Sequence, residues 1–348
     1  MAPEDNDPVL DWPLPVGEPG REVWYSLVSP TDGSVAFWYR YTLLSTEGGR
    51  QEGRLWAALT DREDPDRSVF VTRSVPFEQV RARGTPSFSL TIDDAELTSS
   101  SAVGSIPLDA DGGGEDADHG DPGHEGGEVS WDLSYDPDPY SFTPLRSERL
   151  TDVLAKTIGT GKHWSANEAV RMDGEVTVGD RTIEFEDAPG HQGHTLGSSP
   201  PDSWTWIQCN EFEDRSVVLE ALDIEGTLSI CLRRDGEVHA LNRLEHVVGP
   251  KSNTTEHDEP GFWRFSGSGE GVDLRVTVRA PEDVKWQTVS YMAPDESLRY
   301  NAHCSLADVT LTYTLDGDAP VTLESSAGRA EWVGAEPPLE GYDYPPEW

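Results

Sequence analysis

The segment Gly190–Asn210, GHQGHTLGSSPPDSWTWIQCN, concentrates groups that could do chemistry. Its two imidazoles, His191 and His194, titrate close to neutral pH, so either could give or take a proton. Their i, i+3 spacing on a strand points them to opposite faces, which argues against one ion held by both. No neighbouring thiol or carboxylate completes a tetrahedral set, so neither a metal nor a cofactor is expected. Downstream, period-two alternation places Trp204, Trp206, Gln208 and Asn210 on one face of a strand. Thr205, Ile207 and Cys209 take the other. Two indoles beside two amides suit a pocket that holds an apolar molecule and fixes one polar end. The same pattern also suits rings filling a core while the amides bond to backbone.

Other residues could join such a pocket. Trp131 and Asp132 lie in SWDLSYDP, His163 and Trp164 follow Gly161, and Trp263 lies in FWRF. Asp132 reads either as a buried acid poised to donate a proton or as an exposed turn cap, the commoner state of aspartate. No nucleophile elbow, phosphate loop or dinucleotide fingerprint is present.

These residues must be positioned by strands. Short β-type runs, such as VWYSLVS, VAFWYRYTLL, RLWAALT, SVVLEALDI and DLRVTVRA, are separated by Gly, Asp, Pro and Ser along most of the chain. Many strands at regular spacing predict an all-β protein with little helix, built as antiparallel barrels or sandwiches. Only Leu145–Thr157 reads as helical. At 348 residues the chain suits two domains. The expected division is an extended lead over 1–19, a first β domain over 20–160, a second over 161–336 and a tail over 337–348. The stretch 109–128 is almost free of apolar residues and reads as a solvated acidic loop. A faint internal echo supports duplication: Trp24, Asp32, Ser34 and Val35 recur as Trp206, Asp214, Ser216 and Val217, at matching spacing.

Composition narrows the function classes. The formal charge is −39, from 65 acidic and 26 basic residues. Such a surface repels itself in dilute salt and is relieved when salt screens it, which suits a salt-rich cytoplasm. Twelve tryptophans, ten tyrosines and nine phenylalanines argue against general disorder. Nucleic-acid binding is not expected, because phosphate contacts need clustered Lys and Arg. Three scattered cysteines make no disulfide framework. No apolar run is long enough to span a bilayer, although peripheral membrane contact stays open, as does oligomeric state. A cytoplasmic location is expected from the acidic, Pro-rich N-terminus, which lacks signal-peptide features.

The run from Gly190 through Gly197 to SWTWIQCNEF resembles the signature of tocopherol cyclases, hydroxyneurosporene synthases (carotenoid 1,2-hydratases) and AttH-like proteins, in a salt-adapted, haloarchaeal-type form. Gly197, Trp204, Trp206, Gln208, Cys209 and Asn210 carry the resemblance. His194 stands where hydratase-like members have a histidine. Weaker echoes are WYSLVSPTDGSVAFWYRY, SWDLSYDP and SSAGRAEWVG. The resemblance implies two lipocalin-like β-barrels in tandem. It also implies chemistry on isoprenoids: protonation of a C=C bond, then capture of the cation by water or an internal hydroxyl. Aromatic walls suit that chemistry because rings stabilise positive charge. Two positions depart from the pattern. Gly193 stands in place of the acid, and Leu196 in place of a tryptophan.

The expected function is therefore binding of an isoprenoid, carotenoid or other lipid-like ligand in an aromatic-lined cavity, with Trp204, Trp206, Gln208, Asn210, His191, Trp131, Trp164 and Trp263 as candidate contacts. The alternative is a hydratase or cyclase with His194 or Asp132 as acid. A third reading is a structural duplication without a ligand.

Overall fold

The computed structural model describes residues 6–346 apart from 31, 109–126, 139, 147–160 and 250–251. The acidic loop over 109–128 and the helical reading at Leu145–Thr157 lie almost wholly outside the described residues.

Alternation of large apolar and polar residues yields strands throughout. A first meander comprises β1 (Gly20–Val28), β2 (Val35–Ser45), β3 (Gln51–Asp61) and β4 (Val69–Pro76). Short strands follow: β5 (Val80–Arg83), β6 (Ser89–Ile92), β7 (Ala95–Thr98), β8 (Ser101–Pro107) and β9 (Glu128–Tyr135). A long hairpin, β10 (Lys162–Val178) and β11 (Arg181–Gly197), completes the first sheet, in which β11 pairs with β1.

The second sheet opens on another meander, β12 (Ser203–Cys209), β13 (Val218–Ile224), β14 (Thr227–Arg234) and β15 (Glu237–Leu241). One short helix, α1 (Leu244–Val247), precedes β16 (Thr254–Glu259), β17 (Phe262–Gly269), β18 (Val272–Arg279) and β19 (Gln287–Met292). A second long hairpin, β20 (Leu298–Leu315) and β21 (Val321–Gly334), ends it, with β21 on β12. No helix among the described residues is long and apolar enough to cross a membrane.

The two sheets share one wiring plan: a four-strand meander whose first strand pairs with the last strand of a long hairpin. The echo between Trp24 and Trp206 marks equivalent strands, β1 and β12. Its aspartates do the same work. The amide of Ser34 donates to Asp32 Oδ1 at 2.9 Å, and that of Ser216 to Asp214 Oδ1 at 3.1 Å. These turn bonds hold both carboxyls below their usual range.

The break between the sheets is not where composition suggested. β10 and β11 belong to the first sheet, so the chain passes to the second at 198–202 rather than near 160. Each of these strands runs 17 residues, long enough to wrap round the sheet.

Each sheet curls round its own core. Trp24, Phe37, Tyr39, Leu55 and Trp131 fill the first, and Ile207, Cys209, Leu219, Trp263 and Leu306 the second. A third cluster, with Leu27, Trp38, Trp56, Trp206, Leu222 and Tyr291, packs the outer face of one sheet on that of the other. The lead is tied down as well: the amides of Val9 and Leu10 and the Trp12 indole donate to the Glu22 carboxylate.

Candidate functional site

Pleating gives β1 two faces. Trp24 and Val28 enter the first core, whereas Arg21, Val23, Tyr25 and Leu27 face the second sheet. On β12, Ile207 and Cys209 enter the second core, and Trp204 and Trp206 face back. A cavity of about 160 Å³ lies between them. Trp38 and Arg40 of β2, His163 of β10, Leu222 of β13, Tyr291 of β19, Asn301 and His303 of β20, and Glu331 of β21 complete its walls. The half-buried rim is formed by Gly161, Lys162, Leu196, Gly197, Pro200 and Pro201. The lining is mostly apolar, with a few convergent polar groups, the usual make-up of a small-molecule site.

Two carboxylates anchor the polar side. Glu331 accepts from the Trp204 indole at 2.8 Å and from Asn301 at 2.9 Å, with His303 Nδ1 at 3.8 Å. Burial alone would raise its pKa, but bonding and charge from His303, with the Trp204 and Asn301 donors, hold it down at about 2. Glu220 lies behind the wall. It accepts from Ser165 Oγ at 2.6 Å and from the Trp206 indole at 3.0 Å. His163 Nε2 and His191 Nε2 each lie 3.7 Å from it. Burial again works against ionisation, yet the two imidazoles hold Glu220 well below the usual carboxylate range. Burial lowers the His191 pKa, so that ring is neutral at pH 7.

Glu168 is the counterweight. Burial, then the charge of Glu220, raises its pKa to about 8 despite Arg233 Nη1 at 3.0 Å. A buried carboxyl held protonated near neutral pH thus feels the charge of an ionised one.

Tyr25 is the ring between these groups. It lies 5.9 Å from Trp206, edge-on, and 5.7 Å and 6.3 Å from His191 and His163. Burial, with Glu220 and Glu331 nearby, pushes its phenol well above the ordinary value, so it remains a neutral hydroxyl.

Several sequence-based candidates fall elsewhere. His194 is buried on the opposite face of β11, between Trp24 and Trp164 at 4.5 Å and 4.1 Å, and 2.9 Å from Glu22 Oε1. It does not line the cavity; the pleat that sends Gly193 towards it turns His194 away. His191 is the imidazole on the cavity side, one layer behind the wall. Asp132 is exposed on β9, so it is no buried acid. Trp131 stacks on Tyr39 in the first core, and Trp263 packs on Phe265 in the second. Trp164 supports His194 rather than a ligand.

Gln208 and Asn210 share the face of Trp204 and Trp206, but both hold Arg329. Its Nη1 donates to Gln208 Oε1 at 2.9 Å and Asn210 Oδ1 at 2.7 Å, and its Nη2 to Ser29 Oγ at 2.7 Å. The guanidinium is fully buried and links the two sheets. Arg21, Tyr25, Arg40, Glu220 and Glu331 were not legible as site residues. They come from four strands, and although Tyr25 and Arg40 lie in WYSLVSPTDGSVAFWYRY and Glu331 in SSAGRAEWVG, those weaker echoes assign them no role.

No family model matches the chain. Solved structures share its fold over nearly the full length. An AttH-type protein from Nitrosomonas europaea is 15% identical, with 97% of this chain and 100% of that chain covered and a TM-score of 0.52. CghA is 11% identical, with 93% and 90% covered and a TM-score of 0.54. CghA solved with Sch210972 is 11% identical, with 91% and 88% covered and a TM-score of 0.51. At such identities the likeness establishes the tandem lipocalin-like architecture, not an activity.

Proposed function

We propose that this protein binds a compact, predominantly apolar small molecule between its two β-sheets. One observation carries the reading: Trp204 and Trp206, neighbours on one strand face, wall a cavity within the apolar cluster between the sheets. At about 160 Å³ the cavity is smaller than the roughly 300–1,000 Å³ of common ligand sites. It suits a compact molecule or one end of a longer isoprenoid, and not an enclosed C40 carotenoid. The resemblance of WTWIQCN to the isoprenoid-handling families supports the same ligand class. The neutral fluorophore N-phenyl-1-naphthylamine tests the site. Saturable binding that quenches tryptophan emission, and that Trp206→Ala weakens at least tenfold, is the expected result. Equal binding by both proteins would refute it.

A second reading rests on His163. Its imidazole faces the cavity with Glu220 3.7 Å behind it, which makes His163 a candidate proton donor. Hydration would place the His163 proton on one alkene carbon, while water adds its oxygen to the other and returns a proton to the His163 imidazole. Geraniol incubated with the protein would then gain the mass of one water, and His163→Gln would abolish the gain. No mass change in the wild type excludes hydration of this substrate.

A further inference from the structure

We infer that the cavity recognises an organic carboxylate, with Arg21 as the group that binds the anionic end of the ligand. This rests on the cavity being a ligand site. Arg21 is only 8% exposed and lines the cavity wall, its guanidinium carbon 4.0 Å from the centre of the Tyr291 ring. Its Nε and Nη2 are buried without a hydrogen-bond partner, and no carboxylate among the described residues pairs with it.

An unpaired buried charge is costly and needs an explanation. Here the absence of a partner is unusual. The chain has 65 acidic residues against 26 basic ones, and its other deeply buried arginines are bonded: Arg54 to Glu52, and Arg329 to Gln208 and Asn210. Arg21 lies over Tyr291, with Nε and Nη2 of its fork unsatisfied. A planar fork of this kind matches two carboxylate oxygens at once.

The remaining charges of the wall select a monoanion. Arg40 lies over Trp56, 4.1 Å from its ring centre, and is 5.5 Å from the Tyr291 ring. Glu331 already accepts from Trp204 and Asn301, so its charge is committed and disfavours a second negative charge nearby. A dianionic phosphate would bring a second negative charge into a cavity that already holds Glu331; a carboxylate on an apolar body brings only one.

The test compares ligands that differ only at one end: decanoate, 1-decanol and decyl phosphate, titrated calorimetrically against the wild type, Arg21→Met and Arg21→Lys. The expected order in the wild type is decanoate at least tenfold tighter than decanol, with decyl phosphate no tighter than decanoate. Arg21→Met should erase the preference for decanoate over decanol. Arg21→Lys should keep only part of it, because the ammonium lacks the fork. A wild type that binds decanoate and decanol equally, or prefers decyl phosphate, overturns the carboxylate assignment and leaves the cavity reading intact. Failure of all three ligands to bind overturns both. Thermal unfolding of each variant checks the fold, and removal of an unsatisfied charge should leave the unliganded midpoint unchanged or raised.

Discussion

The phenol ring of Tyr25 lies flat across Gly193, its cross-strand partner in the β1–β11 register. A β-carbon at 193 would stand 2.2 Å from Tyr25 Cζ and 2.3 Å from its hydroxyl oxygen. The position at which the resemblance leads one to expect an acid is therefore filled from the neighbouring strand. Gly193 is required by Tyr25, and the two together shape the cavity floor.

It follows that Gly193→Ala should destabilise the protein by about 1–3 kcal/mol, the usual cost of overpacking. The displaced phenol should also weaken binding of the naphthylamine probe. Combining it with Tyr25→Ala should recover most of the loss. Urea unfolding of the single and double variants measures this, and additive losses would contradict the proposed clash.

Trp206 and Trp263 should separate ligand binding from packing. Trp263 is fully buried in the second core, so Trp263→Ala should cost about 3–5 kcal/mol of stability while leaving probe affinity within a few-fold. Trp206→Ala should lower affinity far more than stability would explain. Comparable affinity losses in the two variants would show that the cavity depends only on general integrity.

Arg329 should be indispensable to the seam between sheets. Arg329→Met would strand Gln208 Oε1, Asn210 Oδ1 and Ser29 Oγ without their donor. A loss of about 3 kcal/mol or more is expected, since each buried polar group left unsatisfied costs about 1–3 kcal/mol. Arg329→Lys should restore only part, because one ammonium cannot reproduce both arms of the fork. A calorimetric midpoint in Arg329→Met equal to the wild type would refute this role.

Stability should depend on pH in two windows of opposite sign. Glu331, held at about 2 against an ordinary 4.5, contributes stability that is complete above about pH 4.5 and lost as pH falls towards 2. Glu168 is raised to about 8, so between about 4.5 and 8 the folded state binds the proton that the unfolded state has released. Its contribution therefore declines as pH rises through that range, with a slope of at most about 1.4 kcal/mol per pH unit. Denaturant midpoints measured across pH should show Glu168→Gln removing the decline above 4.5 and Glu331→Gln removing the acid limb. Unaltered profiles in both variants would refute the assignments.

Alternation within single strands was the legible part of this protein. It placed Trp204 and Trp206 together, separated His191 from His194, and supported an all-β duplication whose equivalent turns are set by Asp32 and Asp214. The cavity was less legible because it lies between outer sheet faces. Arg21 and Glu331 come together from strands more than 300 residues apart, and only the pairing of β11 with β1 and β21 with β12 brings them near. The break after Gly197 was also hidden, since composition changes near 145–165 while hydrogen bonding continues through β10 and β11. Gln208 and Asn210 misled for a different reason. Their face was read correctly, but their partner is Arg329, 121 and 119 residues away in sequence.

Arg329 has one more consequence. Its Nη1 bonds stay beside β12, to Gln208 and Asn210, while Nη2 crosses the seam to Ser29 Oγ and the Pro189 carbonyl; all are neutral oxygens, so neither added salt nor a change of pH near neutrality removes them. Nη2 thereby ties the first sheet to the second at this point of the seam. A guest entering by the half-buried rim at 161–162 and 196–201 would be measured first by its narrow cross-section, more than by its length.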